Sequence, residues 1–190
     1  ILGHRAGGSA AGLACPALAG AWTVEAPEPV AALNFDQTDI EPFVAPDGLT
    51  LYYSSQQGTF QDYQATRAST EDLFTDPIPN PWVPHRGDET RFAPSANGRE
   101  AFLAATWPGG GKSDLYRASR ADSSEDFGAF ASISELNTPE NEYDPLLSAD
   151  GRRLYFMRGS AASNSLMVAE RASATAAFEA AQVHSPVRQP

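Results

Sequence analysis

The sequence predicts an all-β fold built from three tandem four-stranded antiparallel sheets. Three observations predict it: a block of about fifty residues occurs three times, an Asp-Gly or Asn-Gly pair recurs between short apolar runs, and helical periodicity is absent. The copies begin near Phe35, Val83 and Thr138.

The first copy reads DIEPFVAPDGLTLYY from Asp39 to Tyr53, the second ETRFAPSANGREAFL from Glu89 to Leu103, and the third EYDPLLSADGRRLYF from Glu142 to Phe156. Asp47-Gly48, Asn97-Gly98 and Asp150-Gly151 are turn pairs, because Asp, Asn and Gly tolerate the positive φ of a tight hairpin. Each should join two antiparallel strands. The apolar runs that follow (Leu51 to Tyr53, Ala101 to Leu103, Leu154 to Phe156) have the length and composition of strands buried between neighbouring sheets. A polar hairpin comes next, at Gln56 to Gly58, Pro108 to Lys112 and Gly159 to Asn164. A third strand carries Tyr63, Tyr116 or Met167, and a weaker fourth lies near Ile78, Ile133 or Val183. Arg67, Arg120 and Arg171 close the third strand in phase, each followed by a phenylalanine: Phe74, Phe127 and Phe178. These landmarks repeat at intervals of 50 to 53 residues. A flat sandwich of about twelve strands has no reason for such a period, whereas radial repetition of blades produces it directly. Side chains recurring in phase within one chain carry structural work, so the three arginines are expected to bond the carbonyls or carboxylates of a neighbouring blade.

The element D/E-x-D/E-P-x-x-S/A-x-D-G, the aromatic strand, the D-L-Y-x-A-x-R run and the closing Phe resemble the TolB-type, WD-repeat-like β-propeller repeat. The likeness covers about 150 of the 190 residues. It implies that the acidic positions just ahead of each innermost strand face one mouth of a central channel. The second copy departs from the pattern with Arg91-Phe92 where the others have Glu41-Pro42 and Asp144-Pro145, and the third has Met167 for tyrosine. These departures bear on a shared ligand site more than on the blades.

Residues 1–20 are Gly- and Ala-rich and read as an export-signal remnant or flexible linker. Residues 21–190 form a partial propeller with repeats at about 35–82, 83–137 and 138–190. Residues 22–34 match the Leu-Asn ending of the stretch from Phe127 to Asn137, like the tail of a preceding repeat. Propellers close with roughly 4–8 blades, so three blades imply a piece of a longer protein or, if the chain is complete, a homodimer forming a six-bladed ring. The export-like start places the protein in the periplasm or outside the cell.

Thirteen Lys plus Arg stand against 24 Asp plus Glu, for a net charge of −11. Such a surface repels phosphate backbones, which excludes nucleic acid as a partner. From Ala21 to Asp76 ten acidic side chains face Arg67 alone, the composition of a solvated face. The single cysteine, Cys15, excludes a disulfide framework and a Cys-based zinc site. No run approaches the ~20 apolar residues of a membrane span.

Candidate binding residues are Asp39, Glu41, Glu89, Arg91, Glu142 and Asp144, the channel-mouth positions implied by the resemblance. Carboxylate pairs of this kind serve as general acid and base in propeller glycosidases or bind calcium. They also satisfy backbone N–H groups where strands begin, or pair with arginines such as Arg91. His4, His85 and His184 share no repeat position, and no G-x-S-x-G elbow occurs, which argues against a Ser-His-Asp triad. Gly109-Gly110-Gly111-Lys112-Ser113 lacks the glycine a phosphate loop needs, that place being Thr106. No catalytic residue, metal ligand or cofactor is assigned. Trp107 is either an exposed contact residue or a ring packed across a blade edge. The expected function is a non-catalytic scaffold binding a protein, peptide or glycan, the alternative being a fragment of a carbohydrate-active propeller hydrolase or lyase.

Overall fold

The computed structural model describes residues 28–36, 38–107, 112–160 and 162–184. The segment read as an export remnant, with His4 and Cys15, lies outside the described residues, as do Trp22 and residues 108–111 of the Gly-rich hairpin. Three four-stranded antiparallel sheets follow one another, each with spatial order equal to chain order. The first comprises β1 (Asp39–Val44), β2 (Thr50–Gln57), β3 (Thr59–Thr66) and β4 (Thr75–Pro79). The second comprises β5 (Asp88–Pro94), β6 (Glu100–Thr106), β7 (Asp114–Ser119) and β8 (Ala131–Ser132), and the third β9 (Asn141–Leu147), β10 (Arg153–Ser160), β11 (Ser163–Glu170) and β12 (Gln182–Val183). These meanders are propeller blades.

The apolar runs become β2, β6 and β10. In β6 all of Ala101 to Ala105 are buried, because sheets cover both of its faces. Each Asp-Gly or Asn-Gly pair sits in a four-residue loop rather than a two-residue hairpin. Ala45 N–H donates to Thr50 O (2.8 Å) and Gly48 N–H to Ala45 O (2.8 Å), and Ser95 with Gly98 and Ser148 with Gly151 repeat the arrangement. Only the glycines take positive φ, at 70°, 66° and 70°. The preceding Asp or Asn instead accepts the N–H two residues on, as Asp47 Oδ1 does from Leu49 (2.8 Å) and Asp150 Oδ1 from Arg152 (3.0 Å). The third polar hairpin is also narrower than its composition implies, since β10 and β11 pair out to Ser160 and Ser163.

The core lies between sheets. Phe92 of the second sheet stacks among Tyr52 of the first, Trp82, Phe127 and Phe130. Phe102, Leu115 and Leu136 pack against Leu154, Phe156 and Met167 of the third. Leu33 is buried against Tyr53, whose hydroxyl donates to Leu33 O (3.0 Å), so the segment before β1 packs on the first sheet much as Leu136 packs on the third.

The recurring arginines act mainly within their own blades, a correction to the expected role across the blade boundary. Arg67, Arg120 and Arg171 each donate from Nε to the carbonyl of their own turn glycine, Gly48 (2.8 Å), Gly98 (2.5 Å) and Gly151 (2.7 Å). Each guanidinium also lies over its closing phenylalanine, 4.1 to 4.7 Å from the ring centre. The reason is reach: strand pairing puts the end of the third strand beside the turn that begins the second. Two of them also reach the preceding repeat: Arg171 makes a two-pronged bond to Glu100 at 3.0 and 2.5 Å, and the Arg120 guanidinium lies 5.2 Å from the ring centre of Trp82. Arg120→Ala removes charged bonds to Gly98 and Glu125 and a cation over Phe127. It is expected to cost about 2–3 kcal/mol, read as a lower midpoint in urea unfolding; an unchanged midpoint would refute the latch.

Candidate functional site

The six candidate positions lie on the innermost strands β1, β5 and β9, not ahead of them. They divide into two rows. Asp39, Glu89 and Glu142 form the first row and fasten the chain entering each strand. Asp39 Oδ2 accepts the Phe35 N–H (3.1 Å). Glu89, fully buried, accepts from the N–H groups of Arg86 and Gly87 and from Trp107 Nε1 (2.6 Å). Glu142, also fully buried, accepts from Thr138 Oγ1 (2.6 Å) and Arg158 Nε (2.8 Å). Trp107 is thus packed, with its ring centre 4.1 Å from that of Tyr116.

The second row is Glu41, Arg91 and Asp144, two residues further along. All three take left-handed backbone, at φ 57°, 60° and 55°, although none is glycine. Such backbone costs about 1–3 kcal/mol and persists where the surroundings impose it. Here the imposing feature is a bulge: strand pairing loses register between Ile40 and Phe43, between Thr90 and Ala93, and opposite Tyr155 to Met157. One extra residue on each inner strand re-aims its side chain. The carboxyls of Glu41 and Asp144, from the first and third sheets, are neighbours, and Asp144 Oδ1 is buried without a hydrogen-bond partner among the described residues. Burial first, and Asp144 second, push the Glu41 carboxyl up to about 8, with Arg91 pulling the other way. The Glu41 carboxyl therefore keeps its proton at neutral pH. Arg91 Nε is buried without a hydrogen-bond partner among the described residues.

Two buried polar residues, Ser54 and Asp62, stand behind this row, and Asp62 is one of the ten acids whose composition predicts a solvated face, a correction at that position. Ser54 Oγ accepts the Arg91 N–H (3.2 Å) and lies 3.4 Å from Glu41 Oε2 and 3.0 Å from Asp62 Oδ1. Asp62, wholly buried, accepts the Phe92 N–H (3.3 Å), and burial pushes its carboxyl up to about 7. The signal for them is Phe92 itself. Where the other copies have Pro42 and Pro145 no N–H exists, but Phe92 carries a buried donor that needs an acceptor. The position of Asp62 is Leu115 in the second copy and Leu166 in the third. Among the described residues, no three His, Cys, Asp or Glu side chains are placed to hold a metal ion, and no helix is long and apolar enough to cross a membrane.

Among solved structures, the chain is similar to a candidate TolB from Agrobacterium tumefaciens, with a TM-score of 0.50 and 14% sequence identity, over 73% of this chain and 49% of that one. The chain thus spans about half the length of that neighbour, and the likeness shows a TolB-like propeller fold. No family model matches the sequence, and no curated protein does.

Proposed function

We propose that this chain is a non-catalytic binding scaffold that recognises a protein, peptide or glycan through the face where the inner strands converge. The observation that carries this reading is the second row. Three blades aim Glu41, Arg91 and Asp144 at one place through strained backbone, an arrangement that three different side chains do not need for blade packing. Strain of this kind concentrates at functional sites. On the same reading residues 1–20 are an export remnant or linker, the repeats occupy about 35–82, 83–137 and 138–190, and the protein works in the periplasm or outside the cell. The hydrolase alternative has less support: glycosidases need two carboxyls at a set separation with room between them for substrate or water, and here the Glu41 and Asp144 carboxyls are neighbours in a buried setting.

Binding of the purified chain to a glycan array and a displayed peptide library tests the proposal. Ligands captured by the wild type are expected to bind Arg91→Ala and Glu41→Gln at least tenfold more weakly. Ligands that bind both variants as well as the wild type would overturn the site, and an empty result on both arrays would overturn the function. Sugar release from a polysaccharide panel, lost in Asp144→Asn, would restore the hydrolase reading.

A further inference from the structure

The two internal sheet junctions are made by the same operation, the forward face of one sheet meeting the back face of the next. At the first, Phe60 N–H donates to Asp88 Oδ1 (2.8 Å) and Tyr52 packs on Phe92. At the second, Ser113 N–H donates to Asn141 Oδ1 (3.1 Å) and Phe102 packs near Phe178. Asp88 and Asn141 are equivalent positions, as are Phe60 and Ser113.

Among the described residues the operation leaves one face bare and another only partly covered. On the third sheet the forward face presents Leu146, Tyr155, Met157, Leu166 and Val168. Leu146 and Leu166 are 40% and 41% exposed, whereas their equivalents on the second sheet, Ala93 and Leu115, are 1% and 0% exposed beneath the third. On the first sheet the segment before β1 already buries Tyr53 and Leu51, and beside it the back face keeps a cleft of about 240 Å³ lined by Ile40, Pro42, Leu51 and Tyr53 with Val30 and Leu33. Contiguous apolar faces of this kind mark interfaces.

We propose that these two faces are complementary, and that two copies of this chain dock head to tail, the third sheet of each on the first sheet of the other, closing a ring of six sheets. The match follows from the internal junctions. Where the inner strand has Phe92 with its N–H, the preceding sheet supplies Asp62; where it has Pro145 without one, that position is Leu115. The docked faces would set Leu166 opposite Pro42, the apolar combination of the second junction. Thr38 stands at the Asp88 position, with a hydroxyl in place of the carboxylate, and Asn164 stands at the Ser113 position; both are exposed. The ion pair of Arg171 with Glu100 has no counterpart, since Arg153 takes the place of Glu100, but Arg153 is already paired with Glu170 at 2.9 Å and Arg67 with the Asp72 carbonyl at 3.3 Å. Two operations of this kind, related by a twofold axis, cover both end faces of the three described sheets, which is how homo-oligomers commonly close, and six sheets fall within the usual ~4–8. The proposal is independent of the ligand reading.

Light scattering on the purified chain at micromolar concentration is expected to give twice the chain mass of 20.2 kDa. Leu166→Asp should return it to one mass with its β-sheet circular dichroism intact, because the substituted side chain is exposed within one chain. Leu73→Asp, at a 76% exposed position away from both faces, should leave the dimer unchanged. A second readout does not depend on that variant. In a Cys15→Ser background, a mixture of Thr38→Cys and Asn164→Cys chains treated with a short bismaleimide should yield a covalent dimer, and neither chain alone should. A wild type that stays at one mass up to about 100 μM, a dimer that survives Leu166→Asp, or equal cross-linking of either chain alone would each overturn the proposal; the first would mean that something other than a second copy covers these faces.

Discussion

Phe92→Ala is expected to lower stability by about 3–5 kcal/mol, the range for emptying a fully packed aromatic site. Phe92 is 1% exposed and its ring centre lies 4.9 Å from Tyr52, 5.9 Å from Trp82, 6.0 Å from Phe127 and 6.3 Å from Phe130. Those partners come from the first sheet, from the connection between sheets and from the loop that closes the second. Truncation therefore opens a cavity at the one place where all of them meet, and the tilted and edge-on ring contacts are lost together with the buried area. For a chain of this size the change corresponds to a fall in Tm of roughly 6–20 °C. Scanning calorimetry of the variant, with the exposed Leu73→Ala as the neutral comparison, measures it. A loss below about 1 kcal/mol would mean that the first and second sheets are not held together by this cluster.

The same residue shows how far the sequence could be read. The three sheets were legible because their signals are local and repeated: a turn glycine, an apolar run, an arginine and a phenylalanine return at fixed intervals, and each has a meaning within a few residues of itself. The six inner-strand positions were legible for the same reason, as copies of one motif. Their division into a fastening row and a converging row was not. Asp39, Glu89 and Glu142 accept from donors at different distances along the chain, including Trp107 and Arg158, and no periodicity encodes those partners. The departure at Arg91-Phe92 was visible, but its compensation was not, because Ser54 and Asp62 lie 37 and 30 residues away from their respective partners, in strands with several other polar residues that do not mark which ones are buried. The in-phase arginines announced a structural role and concealed its direction. A motif fixes what a side chain can bond, whereas strand register decides which carbonyl lies within its reach.

Three raised carboxyls, Glu41 and Asp62 most strongly and Asp114 in the same direction through burial, give the molecule an unusual dependence on pH. In the unfolded chain Glu41 and Asp62 release their protons near the ordinary values of 4.5 and 3.8; in the folded protein burial pushes them up to about 8 and about 7. Between those limits the native state binds more protons than the unfolded state, so stability falls as pH rises. The stabilisation is complete below about pH 4 and is lost as pH passes through 7 to 8, the reverse of the pattern set by salt-bridged carboxylates. Asp122 and Asp150, whose carboxyls are held down chiefly by hydrogen bonds from neighbouring serines, act in the opposite sense but only at more acid pH. The Tm followed by circular dichroism is therefore expected to fall steadily from pH 5 to pH 9. Glu41→Gln and Asp62→Asn keep an oxygen acceptor and never ionise. The double variant should match the wild type near pH 5, exceed it at pH 8 and show a flatter profile between. A wild-type Tm that climbs over the same range would mean that burial does not hold the protons on Glu41 and Asp62 in the folded protein.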